Sequence, residues 1–207
     1  MNSILIHPAY FPSIAQMVVI AKAKEIVFEV CDNYQKQTYR NRSYIAHSNG
    51  KLLLSVPVKH DKKGNRQKMK DVETENDFAW QSHHWKSIQT AYRTSPFFEY
   101  YEDDLDLLFS KPVTSLLRHN LEIQKILFDL MGISTKTSFT EAYEVQPQHI
   151  TDYRFLINVK KEPKYTLLPY TQVLAANHDF LSNLSVLDLL FNEGPNTLSY
   201  LENQALF

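Results

Sequence analysis

The sequence predicts an α/β protein: a mixed β-sheet formed mainly by the N-terminal part and covered by helices, followed by a largely helical C-terminal part. Three observations carry this. Short apolar runs at residues 3–7 and 26–30 flank an alanine- and aliphatic-rich stretch at 13–24, the order of a βαβ unit. Ser48-Asn49-Gly50 separates two further strand-like runs, 43–47 and 51–58, as a hairpin turn would. From Ser82 onward the apolar spacing changes from strand-like to helical.

Each element has its own signal. The first strand stops on His7, and Pro8 and Pro12 bracket aromatics before the helix begins. A strand near 67–74 is expected to pair with 51–58 across a tip at Lys62-Lys63-Gly64-Asn65. Trp85, Ile88 and Tyr92 repeat at helical spacing, and Leu105, Leu108 and Phe109 do so after the break at Pro96. A helix over 112–131 opens with Pro112, puts Leu116, Leu117, Ile123, Leu127 and Leu130 on one broad face, and ends at Gly132. Residues 133–165 are weakly patterned, with Tyr153–Asn158 the one strand expected there. Ser185 and Asp188 have capping-box spacing, and Gly194-Pro195 ends the helix they begin.

Composition narrows the function. A chain of 207 residues, 43% hydrophobic and 13% aromatic, is long enough to bury a full core, so residues 1–207 are expected to form one domain. The formal net charge of −1 argues against a protein coated by nucleic acid or held on a membrane by a polybasic face. Only four glycines occur, at 50, 64, 132 and 194, which excludes the glycine-rich phosphate cradles of Walker and dinucleotide-binding loops. The one cysteine, Cys31, is expected in an apolar strand as an unreactive thiol. No membrane span is expected, because no window reaches the roughly 18 uninterrupted apolar residues one needs. With no leader-like amino terminus, a cytoplasmic location is expected.

The chemistry-bearing residues cluster early. His7 lies at the carboxyl end of the first strand, where open α/β sheets bind ligands, and is a candidate proton carrier; its plain alternative is a histidine that fixes the turn. Tyr10 adds a phenol, or else a packing staple. Glu29 and Asp32 end the second strand, so a parallel arrangement sets them near His7, to orient it or act as a base. Asn33 and Gln35 offer amides to a hydroxyl-rich ligand. Arg40, Asn41 and Arg42 are the best anion clamp in a chain without glycine loops, since guanidinium forks hold phosphate or carboxylate at two points. Of His83 and His84, at most one points inward. Lys86, Gln89 and Arg93 form a polar stripe on the same helix. Lysines between Lys59 and Lys70 read as a charged hairpin tip that resists edge pairing, so no nucleic-acid partner is expected. Asp188 reads as a helix cap. No pair of ligands has metal spacing, no metal site is assigned, and the sequence names no cofactor.

These segments also carry a resemblance. His7-Pro8-x-Tyr10-x-Pro12, Val27–Gln35, Tyr39-Arg40-Asn41-Arg42, Leu53–Val58, His84–Tyr92 with Pro96-Phe97-Phe98, Tyr170-x-Gln172 and Leu184–Gly194 stand in the order and spacing seen in the WbqC-like family. The resemblance spans most of the chain and supports His7, Arg42, His84, Lys86 and Gln172 as site residues. It implies a bacterial protein of surface-polysaccharide (O-antigen) biosynthesis and carries no reaction with it; the candidate residues above make a transferase acting on a sugar or nucleotide-linked intermediate the expected activity. The expected partner is an anionic or sugar-containing small molecule. There are departures. This chain has His7-Pro8 where the family usually reads His-Gln-Pro, Pro12-Ser13-Ile14 where it reads Pro-Trp-x-Gly, and no Ser-Gly-Pro-x-Gly-like loop between Gly132 and Tyr165. The missing loop keeps a second expectation open, a non-catalytic binding member of the same family.

Overall fold

The computed structural model describes residues 2–59 and 66–206. Strand β1 (Ser3–Ile6) leads through a turn into helix α1 (Ile14–Ala21), which returns to strand β2 (Glu25–Phe28). β1 and β2 pair in parallel, Ser3 opposite Glu25 and Ile6 opposite Phe28, so this is the expected βαβ unit. Strands β5 (Lys136–Phe139) and β6 (Thr151–Asp152) flank it in the order β5-β2-β1-β6, both parallel to their neighbours. The hairpin also forms, as β3 (Arg42–His47) and β4 (Gly50–Ser55) in antiparallel register. Parallel and antiparallel pairing are thus both present, divided between a four-stranded and a two-stranded sheet.

Helices α2 (Trp80–Tyr92), α3 (Phe98–Asp106), α4 (Leu116–Met131), α5 (Val186–Glu193) and α6 (Thr197–Asn203) complete the α/β fold. Ile4, Ile6, Ile26 and Phe28 alternate along β1 and β2 and enter the main core with α1 and the helices around it. Leu5 and Val27 face the other way, under residues 140–150. No helix among the described residues is long and apolar enough to cross a membrane.

Four local expectations are corrected. Residues 67–74 make no strand: the segment turns as a 3-10 helix at Met69–Asp71 and touches the end of the hairpin by a single bridge, Val58 to Thr74. Met69 and Val72, three apart, are both buried across that turn. The tip at Lys62-Lys63-Gly64-Asn65 lies outside the described residues. Tyr153–Asn158 is likewise no strand, because the Asp152 carboxylate accepts from the Arg154 backbone N–H at 2.9 Å and curls Arg154–Ile157 into a 3-10 turn. Helix α4 begins at Leu116 and not at Pro112, since the Ser115 hydroxyl caps it by accepting from the Arg118 N–H. Asp188 caps nothing: its buried carboxylate accepts from the Tyr170 hydroxyl and, at 2.9 Å, from Gln172 Nε2, while Ser185 caps α5 alone.

Candidate functional site

Register converges the site. Because Ile6 lies opposite Phe28 and Leu5 opposite Asp152, the next residues of β1, β2 and β6 emerge side by side at the carboxyl edge of the parallel sheet. Those residues are His7, then Glu29 to Asp32, then Arg154. The turn after His7 is fixed by amides: Gln16 Nε2 donates to the His7 carbonyl at 2.6 Å, and Asn120 Nδ2 donates to the carbonyls of Pro8 and Arg40. Phe11 completes that turn at φ 42°, a left-handed conformation uncommon for a non-glycine residue, with its carbonyl held by the Ser43 hydroxyl.

A cavity of about 270 Å³ opens at this edge. His7, Asp32, Arg40, Asp152 and Arg154 give it a charged lining, and Gln35 and Asn158 add amides. Tyr143, Val145 and Phe155 stand around it, all largely exposed. His7 Nε2 is 3.6 Å from Asp32 Oδ2, and Arg40 Nη1 donates to that same oxygen at 2.6 Å. Arg154 is spent more fully. Its Nε and Nη2 grip Asp152, Nη1 reaches Glu29 Oε2 at 3.3 Å, and the carbonyls of Glu144 and Val145 take the rest. Its guanidinium also lies over the Tyr143 ring at 5.0 Å, so one side chain ties the sheet edge to the 143–145 loop.

Burial and charge set the protonation states. Burial, followed by the cations of Arg40 and Arg154, holds His7 well below the usual histidine range, although the Glu29 backbone opposes them. His7 is therefore a neutral imidazole at pH 7. Burial pushes the Asp32 carboxyl up, against the pull of Arg40. Asp152 is also raised by burial, but its hydrogen bonds to Arg154 and the nearby charge win and leave it below the ordinary value. Three lining side chains retain a buried polar atom with no hydrogen-bond partner: His7 Nδ1, Asp32 Oδ1 and Arg40 Nη2. Unpaired buried polar atoms cost roughly 1–3 kcal/mol each, so a polar ligand or water that reached these three would stabilise the site.

The other expected site residues fall elsewhere. Glu29 is wholly buried, its Oε1 accepting from the Cys31 N–H and the Thr140 hydroxyl, so its carboxylate braces the strand end, and it is the Glu29 main chain that meets His7. Tyr10 lies 2.8 Å from His84 Nδ1 inside an aromatic cluster with Trp80 and His119, away from the cavity lining. Asn41 Nδ2 donates to Val56 O, and Arg42 stands at the start of β3 opposite Ser55. Lys86 is exposed on α2, and Gln172 binds Asp188 and the main chain of Leu181. Cys31 sits past the end of β2, half-buried, with Sγ 3.3 Å from Thr140 O, and not within an apolar strand. Among the described residues no group of three or more His, Cys, Asp or Glu side chains is placed to hold a metal ion.

Sequence reasoning missed Arg154, Asp152 and the aromatic rim. A signal existed: an arginine inside an otherwise apolar run, two residues after an aspartate, fits a strand poorly and a pocket wall well. Larger cavities occur over Leu5 and Val27, between α4 and β5, and at the start of α4, but none of them is lined by His7, Asp32 or Arg40. No curated protein and no solved structure matches the chain. The profile of the WbqC-like protein family matches residues 7–166, a stretch that holds His7, Asp32, Arg40 and Arg154 together; the chain belongs to that family.

Proposed function

We propose that the protein is a transferase of bacterial surface-glycan assembly that acts on a sugar or nucleotide-linked intermediate. Family membership supports the glycan assignment. The observation that carries the chemistry is the neutral, buried His7 with Asp32 at 3.6 Å inside a polar cavity. With Nε2–H turned toward Asp32, the lone pair on Nδ1 takes the proton of an acceptor hydroxyl as its oxygen bonds to the activated sugar carbon, the nucleotide leaves with the electron pair of the bond it held to that carbon, and Asp32 steadies the imidazolium that results. The 3.6 Å separation is longer than a hydrogen bond and closes when a substrate is seated.

A second reading, a binding protein without turnover, draws on a different feature. Asp32 Oδ2 is shared between His7 and the much closer Arg40, so the carboxylate is already engaged. One experiment separates the two. The protein is incubated with pooled nucleotide-activated sugars and candidate acceptors, and products are sought by mass spectrometry. Turnover that falls by roughly 10²–10⁴-fold in a folded His7→Ala variant supports the transferase. Turnover unchanged in that variant, or retention of a sugar with no product under any acceptor, overturns it.

A further inference from the structure

We infer that the cavity between His7 and Arg154 takes one uncharged, hydroxyl-bearing sugar ring, and that any phosphate of the intermediate stays outside it. This rests on the glycan reading above and names the part of the substrate that the site recognises. The arginines invite the opposite conclusion, an anion clamp. Their partners decide against it.

Arg154 has no donor left. Every nitrogen of its guanidinium is engaged by Asp152, by Glu29 or by the carbonyls of Glu144 and Val145. Arg40 gives Nη1 to Asp32 and Nε to the Thr38 hydroxyl, so Nη2 alone is unpaired. Two guanidiniums thus face the three carboxylates of Glu29, Asp32 and Asp152, and the cluster has no net positive charge to offer. A phosphate would meet one free donor and three carboxylates, two of them buried, whereas phosphate sites assemble several unpaired N–H groups.

The vacant valences suit hydroxyls instead. Arg40 Nη2 can only donate, Asp32 Oδ1 accepts, and neutral His7 Nδ1 has its lone pair free when Nε2 carries the proton. A sugar hydroxyl both accepts and donates, so adjacent hydroxyls on one ring satisfy all three atoms without bringing charge into a buried place. Phe155, 43% exposed, lines the cavity and supplies apolar surface for the C–H side of such a ring. Size agrees. At about 270 Å³ the cavity is smaller than the roughly 300–1,000 Å³ of sites that enclose drug-sized ligands, enough for one ring and too small for a nucleotide diphosphate with it.

The test uses the full chain and isolated pieces of a substrate, so it does not depend on turnover. Free neutral hexoses, deoxyhexoses and N-acetylhexosamines, and separately inorganic phosphate and pyrophosphate, are titrated by ligand-observed NMR at low and high salt. At least one neutral sugar is expected to bind saturably, with an affinity that changes less than twofold between 50 and 500 mM salt, about as an uncharged ligand should. Phe155→Ala, at an exposed position, should weaken it at least about fivefold, and Asp32→Asn at least about tenfold if that variant folds. Pyrophosphate should not displace the sugar. Saturable pyrophosphate or phosphate binding that weakens with salt and in Arg40→Lys overturns the inference, as does failure of every neutral sugar to bind. Sugar binding without product in any acceptor mixture upholds this inference while removing the transferase; phosphate capture with turnover does the reverse.

Discussion

Arg40 and Arg154 show how a side chain's partners, and not its type, decide what it does. Both are nearly buried, both are paired with carboxylates, and neither presents the open fork that an anion requires. His7 is governed by the same surroundings. Burial and two neighbouring cations keep it neutral well below the normal histidine range, so a base at this position stays competent through mildly acidic pH. The pH profile of kcat/KM should therefore be flat across the ordinary histidine range, and the acid limb should appear only as pH falls through the lowered value. An acid limb centred near 6.5 in the free enzyme would show His7 to be solvated and the pocket open. The place of His7 at the cavity edge was legible from sequence, because a polar residue closing an apolar strand needs a reason. The neutralised arginines were not, because their carboxylate partners lie as far as 125 residues away in the chain.

At the scale of elements, glycine and serine mark the ends of helices for reasons that can be tested. Gly132 closes α4 at φ 71°, as its position after the apolar face suggested. Gly194 closes α5 at φ 52°, but its demand is steric as well. A Cβ there would lie 2.5 Å from the ring of Phe97, a residue whose backbone N–H donates to Phe191 O across the α3–α5 contact. Gly194→Ala should thus lower stability by about 2–4 kcal/mol, combining left-handed strain with overpacking against a ring whose backbone is pinned. Urea unfolding followed by circular dichroism measures it, and a loss under about 1 kcal/mol would mean that Phe97 moves aside freely. The elements that sequence misplaced, 67–74 and 153–158, share a cause. Each contains apolar residues at mixed spacing, and each is bent by a contact from outside itself or from the residue just before it: Asp32 O accepts the Met69 N–H, and the Asp152 side chain accepts the Arg154 N–H.

Across the whole molecule, two of the buried polar groupings among the described residues have different roles. One is the strand-edge cavity. The other is the cluster of Tyr10, Trp80, His84 and His119 between the His7–Pro12 turn and the helices, where burial depresses His84 and His119 from 6.5 to about 4. The folded state refuses protons that the unfolded chain accepts between these values. This contribution to stability is complete above pH 6.5 and is lost as pH falls toward 4, by up to about 3 kcal/mol per histidine. Urea midpoints should decline steadily from pH 6.5 to 5, and a His84→Gln/His119→Gln variant should show a much shallower decline. Equal slopes in the two proteins would assign acid sensitivity to other groups.

The chain's own order of residues determined the βαβ start, the hairpin, the helical second half and the family, because alternation, turn residues and capping are local and short motifs keep their spacing. It also led to His7 and Asp32 as neighbours, since a parallel β1–β2 register leaves them at the same edge; Arg40 joins them through its ion pair with Asp32, while Arg42 and Lys86, expected beside them, do not line the cavity. Only tertiary structure decided the sign of the cavity. Arg154, Asp152 and the Tyr143 loop arrive there through β6, a two-residue strand with no periodicity to read, and because Arg154 comes fully paired and Asp152 adds a carboxylate they turn an apparent anion clamp into a polar, uncharged-ligand pocket. Charge balance in a buried place is a sum over groups that meet only when the chain is folded.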